Sequence, residues 1–299
     1  MNTEQLYQER LARYVTALRN EKPDRVPIRP FVAEFTAKYA GMTCQEVVHD
    51  YNKAFEAAVK CAKDFDWDAV VPSLQDKHRV IAIDLLGFGH SPMPKNVTYN
   101  VETHLTSILE TLEHLKVDEP FTLAGHSMGA LLALKLAVAE PKKVKRLVLL
   151  AMPIYHSVDE ARHTITGGQL TRKLAYYGPT SHLLCATWCK FLRPISSRAA
   201  HLYLKNQPYT VAQESVLHTW QSYNQSMQNI IEDQQVAQDL AKLKIPTLLI
   251  NGDEEKTLIL KNARELNGLP EDVRYQEISG GHNLPIDNPA LVAQKILSD

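Results

Sequence analysis

Residues 121–134 read FTLAGHSMGALLAL, and the fold turns on how that run is parsed. An apolar stretch ends in Gly125-His126-Ser127-Met128-Gly129, and a helix-forming run follows at once. A G-x-S-x-G pattern between a strand and a helix is a nucleophile elbow. The serine sits on a sharp turn, and its hydroxyl projects above the sheet edge. Small residues two before and two after it let the backbone turn tightly and neighbouring strands approach. The helix start aims free N–H groups and a positive dipole end at the serine, which favours an oxyanion there. The pattern nominates Ser127 as a nucleophile, against the plainer reading of a strand–helix turn with a buried serine.

On both sides of the elbow, strand signals alternate with helix signals. LQDKHRVIAIDLLGFGHSP (74–92) predicts a strand over His78–Asp84 and a turn with Gly87 and Gly89. Its continuous apolar run suits a parallel strand buried on both faces. Tyr99–Leu115 is amphipathic, with Val101, Leu105, Ile108, Leu109 and Leu112 on one side. Val144–Met152, Ile245–Asn251 and Asp272–Ile278 read as further strands, and Pro289–Leu297 as a final helix. This order predicts an α/β fold: a mostly parallel sheet with right-handed crossovers and flanking helices. Residues from about 153 to 243 break the alternation with short helical patterns, of which HTWQSYNQSMQNII (218–231) is the clearest. They predict a helical cap over the carboxyl ends of the strands, where open α/β sheets bind ligands. His156, His163, Tyr176, Tyr177, His182, His201 and Tyr203 lie in that cap within reach of a substrate, although each alone is more often a packing or surface residue.

A serine nucleophile needs a base to take its proton, and the base needs an acid to orient it. Gly252-Asp253-Glu254-Glu255 follows a strand end, and Gly280-Gly281-His282 follows the last strand. The order Ser…acid…His belongs to one triad arrangement among several.

The chain of 299 residues is 44% hydrophobic and 22% charged, an ordinary globular balance. A net charge of -1 gives no argument for nucleic acid or an anionic membrane as partner. No stretch approaches the ~20 uncharged apolar residues of a membrane span. The polar start MNTEQLYQER is unlike a secretory signal. Cys44, Cys61, Cys185 and Cys189 form no C-x-x-C pair. His182, Cys185 and Cys189 fall on one helix face with soft ligands, but lack a fourth, so buried free thiols are the expected reading. A reducing cytoplasm suits them.

Four motifs carry a resemblance: HRVIAIDLLGFGHSP, LAGHSMGALLALKLA, IPTLLINGD and SGGHNLPIDNP. In order and spacing they resemble the α/β-hydrolase fold family, of serine carboxylesterase type, over about 74–299. The resemblance implies Ser127 as nucleophile, His282 as general base and Met128 N–H as one oxyanion donor. It places the acid three residues after Gly252, at Glu255, with Asp253 as second choice. It implies a small-molecule ester or similar acyl substrate, and no cofactor and no metal. The family's His-Gly segment, which supplies a second oxyanion donor, has no counterpart before residue 79. Losing one such donor costs on the order of 100- to 1000-fold in turnover. The alternative is therefore a weak or inactive hydrolase-fold binding protein. Absent first strands would also expose a sheet edge and favour a homo-oligomer.

Residues 1–74 read differently. A helix from 3 to 20, an extended RVPIRPFVAEF, a helix from Cys44 to Lys63 and a strand at Asp68–Pro72 resemble the start of the uroporphyrinogen decarboxylase and methyltransferase family. That family's (β/α)8 barrel needs about 250 residues, so this piece cannot close one. Arg29 stands alone where that family pairs arginines, and no site residue carries over. The expected organisation is a fusion: 1–74 as an unrelated helix–strand–helix segment, then 75–299 as the hydrolase core.

Overall fold

The protein was studied as a computed structural model that describes residues 41–43, 53, 78–178, 180–204, 209–266 and 268–298. The helix–strand–helix readings before residue 75, and the decarboxylase-like segment they form, lie outside those residues. By its contacts the chain divides into two compact units, Met1–Phe65 and Asp66–Asp299.

Four strands build one parallel sheet in chain order: β1 (Phe121–His126), β2 (Val144–Leu150), β3 (Thr247–Gly252) and β4 (Val273–Ile278). The registers run Gly125 beside Leu149, Leu149 beside Leu249, and Gly252 beside Ile278. Each parallel step needs a crossover. Helix α1 (Val101–His114) precedes β1, and α2 (Met128–Ala139) joins β1 to β2. The α2 sequence MGALLALKLAVA is apolar almost all round, so the helix is buried rather than amphipathic. Leu131, Leu132, Leu134 and Leu136 are all under 5% exposed, and the first three share a core cluster with Leu147 and Leu149 of β2 and Leu249 of β3. The one charged side chain in α2, Lys135, reaches Asp239 at 2.7 Å.

The helical segment expected to form a cap leaves the sheet after β2 and returns before β3. It opens on α3 (Val158–Thr166), α4 (Leu170–Tyr177) and α5 (Ser181–Cys185), continues as a π-helical turn (Ala186–Phe191), and runs through α6 (Arg193–Tyr203), α7 (Tyr209–Glu214) and α8 (Trp220–Ser226). A second π turn (Met227–Glu232) and α9 (Val236–Leu240) lead back to β3. The α8 segment is tied to the loop before α1. Ser222 Oγ donates to Gly87 O at 2.8 Å, Gln221 Nε2 to Val97 O at 2.8 Å, and Tyr99 N to Gln225 Oε1 at 2.9 Å. Buried His104 meets Ser226 Oγ at 3.1 Å. After β3 come α10 (Thr257–Arg264), then β4, α11 (Leu284–Asp287) and α12 (Pro289–Leu297). Asn262 of α10 holds the cap entrance by donating to Ile154 O at 2.9 Å and Glu160 Oε1 at 3.0 Å.

One expected strand does not form. His78–Asp84 carries no ladder, and Val80, Ile81 and Ile83 are half-buried rather than enclosed on both faces. A strand is defined by its neighbours, and among the described residues none runs beside this segment. Among the described residues an isolated bridge nearby joins Phe88 to His218 in antiparallel sense. The same gap is felt at β1. Among the described residues it pairs with β2 alone, and Ala124, three residues before the serine, is exposed.

Candidate active site

Ser127 occupies the N-cap of α2 at φ 53°, ψ −120°. Positive φ is uncommon for a residue with a side chain and costs energy that the surroundings must supply. Here they do so through hydrogen bonds: Ser127 N–H donates to Leu150 O at 2.9 Å, and Ser127 O accepts from Ala130 N–H at 2.9 Å. Gly125 is required by contact. A Cβ there would lie 2.3 Å from Gly129 O, because the first turn of α2 crosses directly above it. Gly129 is different: a Cβ there meets nothing within 4 Å among the described residues. The expectation that small residues permit the tight turn therefore holds at Gly125, and no described residue makes the same demand at Gly129.

The ends of β3 and β4 bring the other two groups together. A Cβ on Gly252 would sit 2.1 Å from Gly280 O and 2.5 Å from Gly281 O, so only glycine admits this approach of the two loops. Glu254 N–H donates to Gly280 O at 2.9 Å, and Gly281 N–H donates to Asp287 Oδ2 at 3.0 Å. The outcome is a continuous chain of hydrogen bonds. Ser127 Oγ lies 3.0 Å from His282 Nε2, and His282 Nδ1 lies 2.5 Å from Glu255 Oε2. Asp253 points elsewhere, with Oδ1 accepting from Gly280 N–H at 3.1 Å. Of the two carboxylates weighed from sequence, Glu255 meets the imidazole and Asp253 braces the loop that carries it.

The electrostatics fix the imidazole's tautomer. Burial raises the Glu255 carboxyl, whose side chain is 1% exposed. The hydrogen bond and charge of His282, with the N–H and charge of Lys256, outweigh burial and hold the carboxyl below its usual range. An ionised carboxylate only accepts. His282 Nδ1–H therefore donates to Glu255, and Nε2 is the ring nitrogen that faces the serine hydroxyl. The His282 side chain is 38% exposed and Ser127 is half-buried, so the pair is open to a solute. Met128 begins α2, and the first-turn N–H groups of a helix have no intrahelical partner. That leaves Met128 N–H available to an oxyanion beside Ser127.

Sequence reasoning passed over His126. Its Nε2–H donates to His282 O at 2.6 Å, and the two rings lie 5.2 Å apart. Burial, and the charge of His282, lower its pKa despite that hydrogen bond, so neutral His126 pins the loop of His282. Its place inside the quoted elbow was the available signal. Tyr155 is another: 8% exposed, it is pushed up to about 12 by burial and by the charges of Glu255 and Glu160. Of the cap residues nominated earlier, His156, His163 and His182 are exposed. Tyr176 stacks on Tyr223 at 6.3 Å, and Tyr177 receives the Arg162 guanidinium over its ring at 5.0 Å. Among the described residues none of these five hydrogen-bonds to Ser127 or His282. The side chains of His201 and Tyr203 lie outside the description. The thiols of Cys185 and Cys189 are free, but the imidazole beside them is His218, not His182. His182 turns away and meets Trp220 edge-on at 6.3 Å. No helix among the described residues is long and apolar enough to cross a membrane.

Parallel sheet, elbow serine and helical cap define an α/β protein of hydrolase type. The alpha/beta hydrolase fold model matches residues 61–289, and the chain belongs to that family. It is similar to the uncharacterized hydrolase YugF of Bacillus subtilis, 28% identical over 241 residues, covering 78% of this chain and 84% of that one. It is also similar to the 2-hydroxy-6-oxo-2,4-heptadienoate hydrolase of Pseudomonas putida, 28% identical over 214 residues, covering 69% and 72%. Among solved structures, the thioesterase domain from the curacin biosynthetic pathway superposes with a TM-score of 0.51 at 26% identity, covering 79% of this chain and 87% of that one.

Proposed function

We propose that this protein is a serine hydrolase that cleaves a small carboxylic ester or a similar acyl compound. Ser127 Oγ attacks the acyl carbon while His282 Nε2 takes its proton. Glu255 holds Nδ1–H and stabilises the imidazolium. Met128 N–H receives the oxyanion. The imidazolium then protonates the leaving group, and a water, activated by the same imidazole, releases the acid and frees the serine. The observation that carries this reading is the His282 ring, bonded at both nitrogens between Ser127 Oγ and Glu255 Oε2. The names of the relatives support a hydrolase, and one of them is by its name a hydrolase of 2-hydroxy-6-oxo-2,4-heptadienoate. A dienoate ketone therefore belongs in the substrate panel beside the esters.

The second reading, a binding protein with feeble turnover, rests on the sequence, which holds no His-Gly segment before residue 79 to supply a second oxyanion donor. A fluorophosphonate probe separates the two. Labelling of Ser127 that is lost in Ser127→Ala supports the enzyme. Folded protein that stays unlabelled while binding acyl compounds supports the binder. A panel of p-nitrophenyl esters of increasing acyl length then ranks substrates.

A further inference from the structure

The helical run from α5 into its π turn is inverted. Leu183, Leu184, Trp188 and Phe191 face outward, at 65%, 54%, 40% and 71% exposure. Ser181, Cys185 and Cys189 face inward. Residues four apart share a helix face, so the two cysteines stand one above the other. His218 comes to them from the turn between α7 and α8. Its backbone is held by the bridge to Phe88 and by Arg193 Nη2, which donates to His218 O at 3.4 Å. Its ring rests on Tyr223 at 5.2 Å. Cys185 Sγ lies 3.8 Å from His218 Nε2, and the three donor atoms all lie within 4.8 Å of one another.

We propose that Cys185, Cys189 and His218 form a binding site for a soft divalent metal ion, zinc above all. Zinc bonds of about 2.3 Å to sulfur and 2.0 Å to nitrogen in a tetrahedron put its ligands roughly 3.6–3.8 Å apart. The Cys185–His218 separation already meets this, and each other pair reaches it by closing about 1 Å or less. Two sulfurs and an imidazole select zinc, cadmium or cobalt over magnesium and calcium. Metal binding supplies the positive charge that ionises the two thiols. Cys185 and His218 are half-buried, so water completes the fourth position. The bound ion would join the α5–π run to the α7–α8 turn, two cap segments that are separate in sequence. It stabilises the cap by mass action.

The test titrates cobalt(II) into reduced, metal-free, full-length protein. One equivalent should develop a thiolate-to-cobalt charge-transfer band and the visible bands of a tetrahedral site, and zinc(II) should bleach both. Cys189→Ser and Cys185→Ser should each abolish the charge-transfer intensity or weaken binding by more than the roughly 10- to 100-fold that loss of an outer-shell partner brings. His218→Ala should weaken it comparably, while Cys44→Ser and Cys61→Ser leave it intact. Because cap variants can fold poorly, the wild type gives an independent readout. Zinc should shield Cys185 and Cys189, but not Cys44 and Cys61, from iodoacetamide as read by mass spectrometry. No band at one equivalent in folded, reduced protein, a band that survives Cys189→Ser, or equal alkylation with and without zinc would each overturn the site.

Discussion

Replacing Glu255 by glutamine should cost about 10,000-fold in kcat while the protein stays folded. The reasoning starts from the two oxygens. Oε1 accepts from Lys256 N–H at 2.8 Å, and Oε2 accepts from His282 Nδ1–H at 2.5 Å. A glutamine has one acceptor and one donor end. If its oxygen serves His282, its NH2 faces Lys256 N–H, and two buried donors oppose each other at a cost of about 1–3 kcal/mol. The favoured arrangement gives the oxygen to Lys256 and the NH2 to Nδ1. His282 must then move its proton to Nε2, where it cannot act as a base toward Ser127. That penalty alone is roughly 5- to 150-fold. Losing the carboxylate charge beside the imidazolium removes up to about 4 kcal/mol more at an effective dielectric of 20. At 1.36 kcal/mol per decade the sum centres near 10,000-fold, the order found for the equivalent amide substitution in serine-protease triads. Steady-state kinetics on a p-nitrophenyl ester read the effect, with near-ultraviolet circular dichroism as the check on folding. Asp253→Asn, which disturbs only the bond to Gly280 N–H, should lose less than about tenfold. A Glu255→Gln variant that keeps more than a tenth of wild-type kcat, or an Asp253→Asn variant that falls further, refutes the assignment.

Three other perturbations are informative. His126→Phe removes the donor to the part-buried His282 O, at about 1 kcal/mol; kcat should fall while the melting temperature drops a few degrees, and an unchanged kcat would deny His126 its positioning role. Gly252→Ala drives a methyl onto Gly280 O and Gly281 O; it should separate Glu255 from His282 and cut kcat/KM at least ~100-fold, and wild-type kinetics would show that the loops tolerate the group. Buried His104 has its pKa lowered to about 4 by burial. The unfolded chain binds its proton first, so this group's contribution is full above about pH 6.5 and is lost progressively toward pH 4. On the order of 2 kcal/mol should vanish by pH 5, a loss that urea titrations should show to be smaller in His104→Gln.

Much of the fold was legible because local pattern and tertiary role agree. The run VKRLVLL is a strand wherever it is buried on both faces, and PALVAQKIL begins with a proline suited to a helix start. The elbow was legible because one backbone geometry serves it, and Glu255 because its spacing from Gly252 follows a recurring loop. HRVIAID was misread for a physical reason: its apolar run meets every local criterion for a strand, but a ladder needs a partner that the run itself cannot supply. The cap was legible only as helical. Its π turns follow from packing, and the choice of His218 over His182 depends on a chain reversal some thirty residues away. His126 was hidden by its own motif, since a residue flanking the nucleophile looks like scaffold until the loop it pins is in view.

Among the described residues β1 pairs on one side only, and a bare far side would have one further consequence: the strand that delivers Ser127 would offer peptide groups to which another chain could add a strand. Turnover and self-association then contend for the same few residues, and an added strand would pass beside the elbow. Turnover per molecule should decline from nanomolar to high micromolar protein and recover on dilution, and a level profile would show that the edge stays unused.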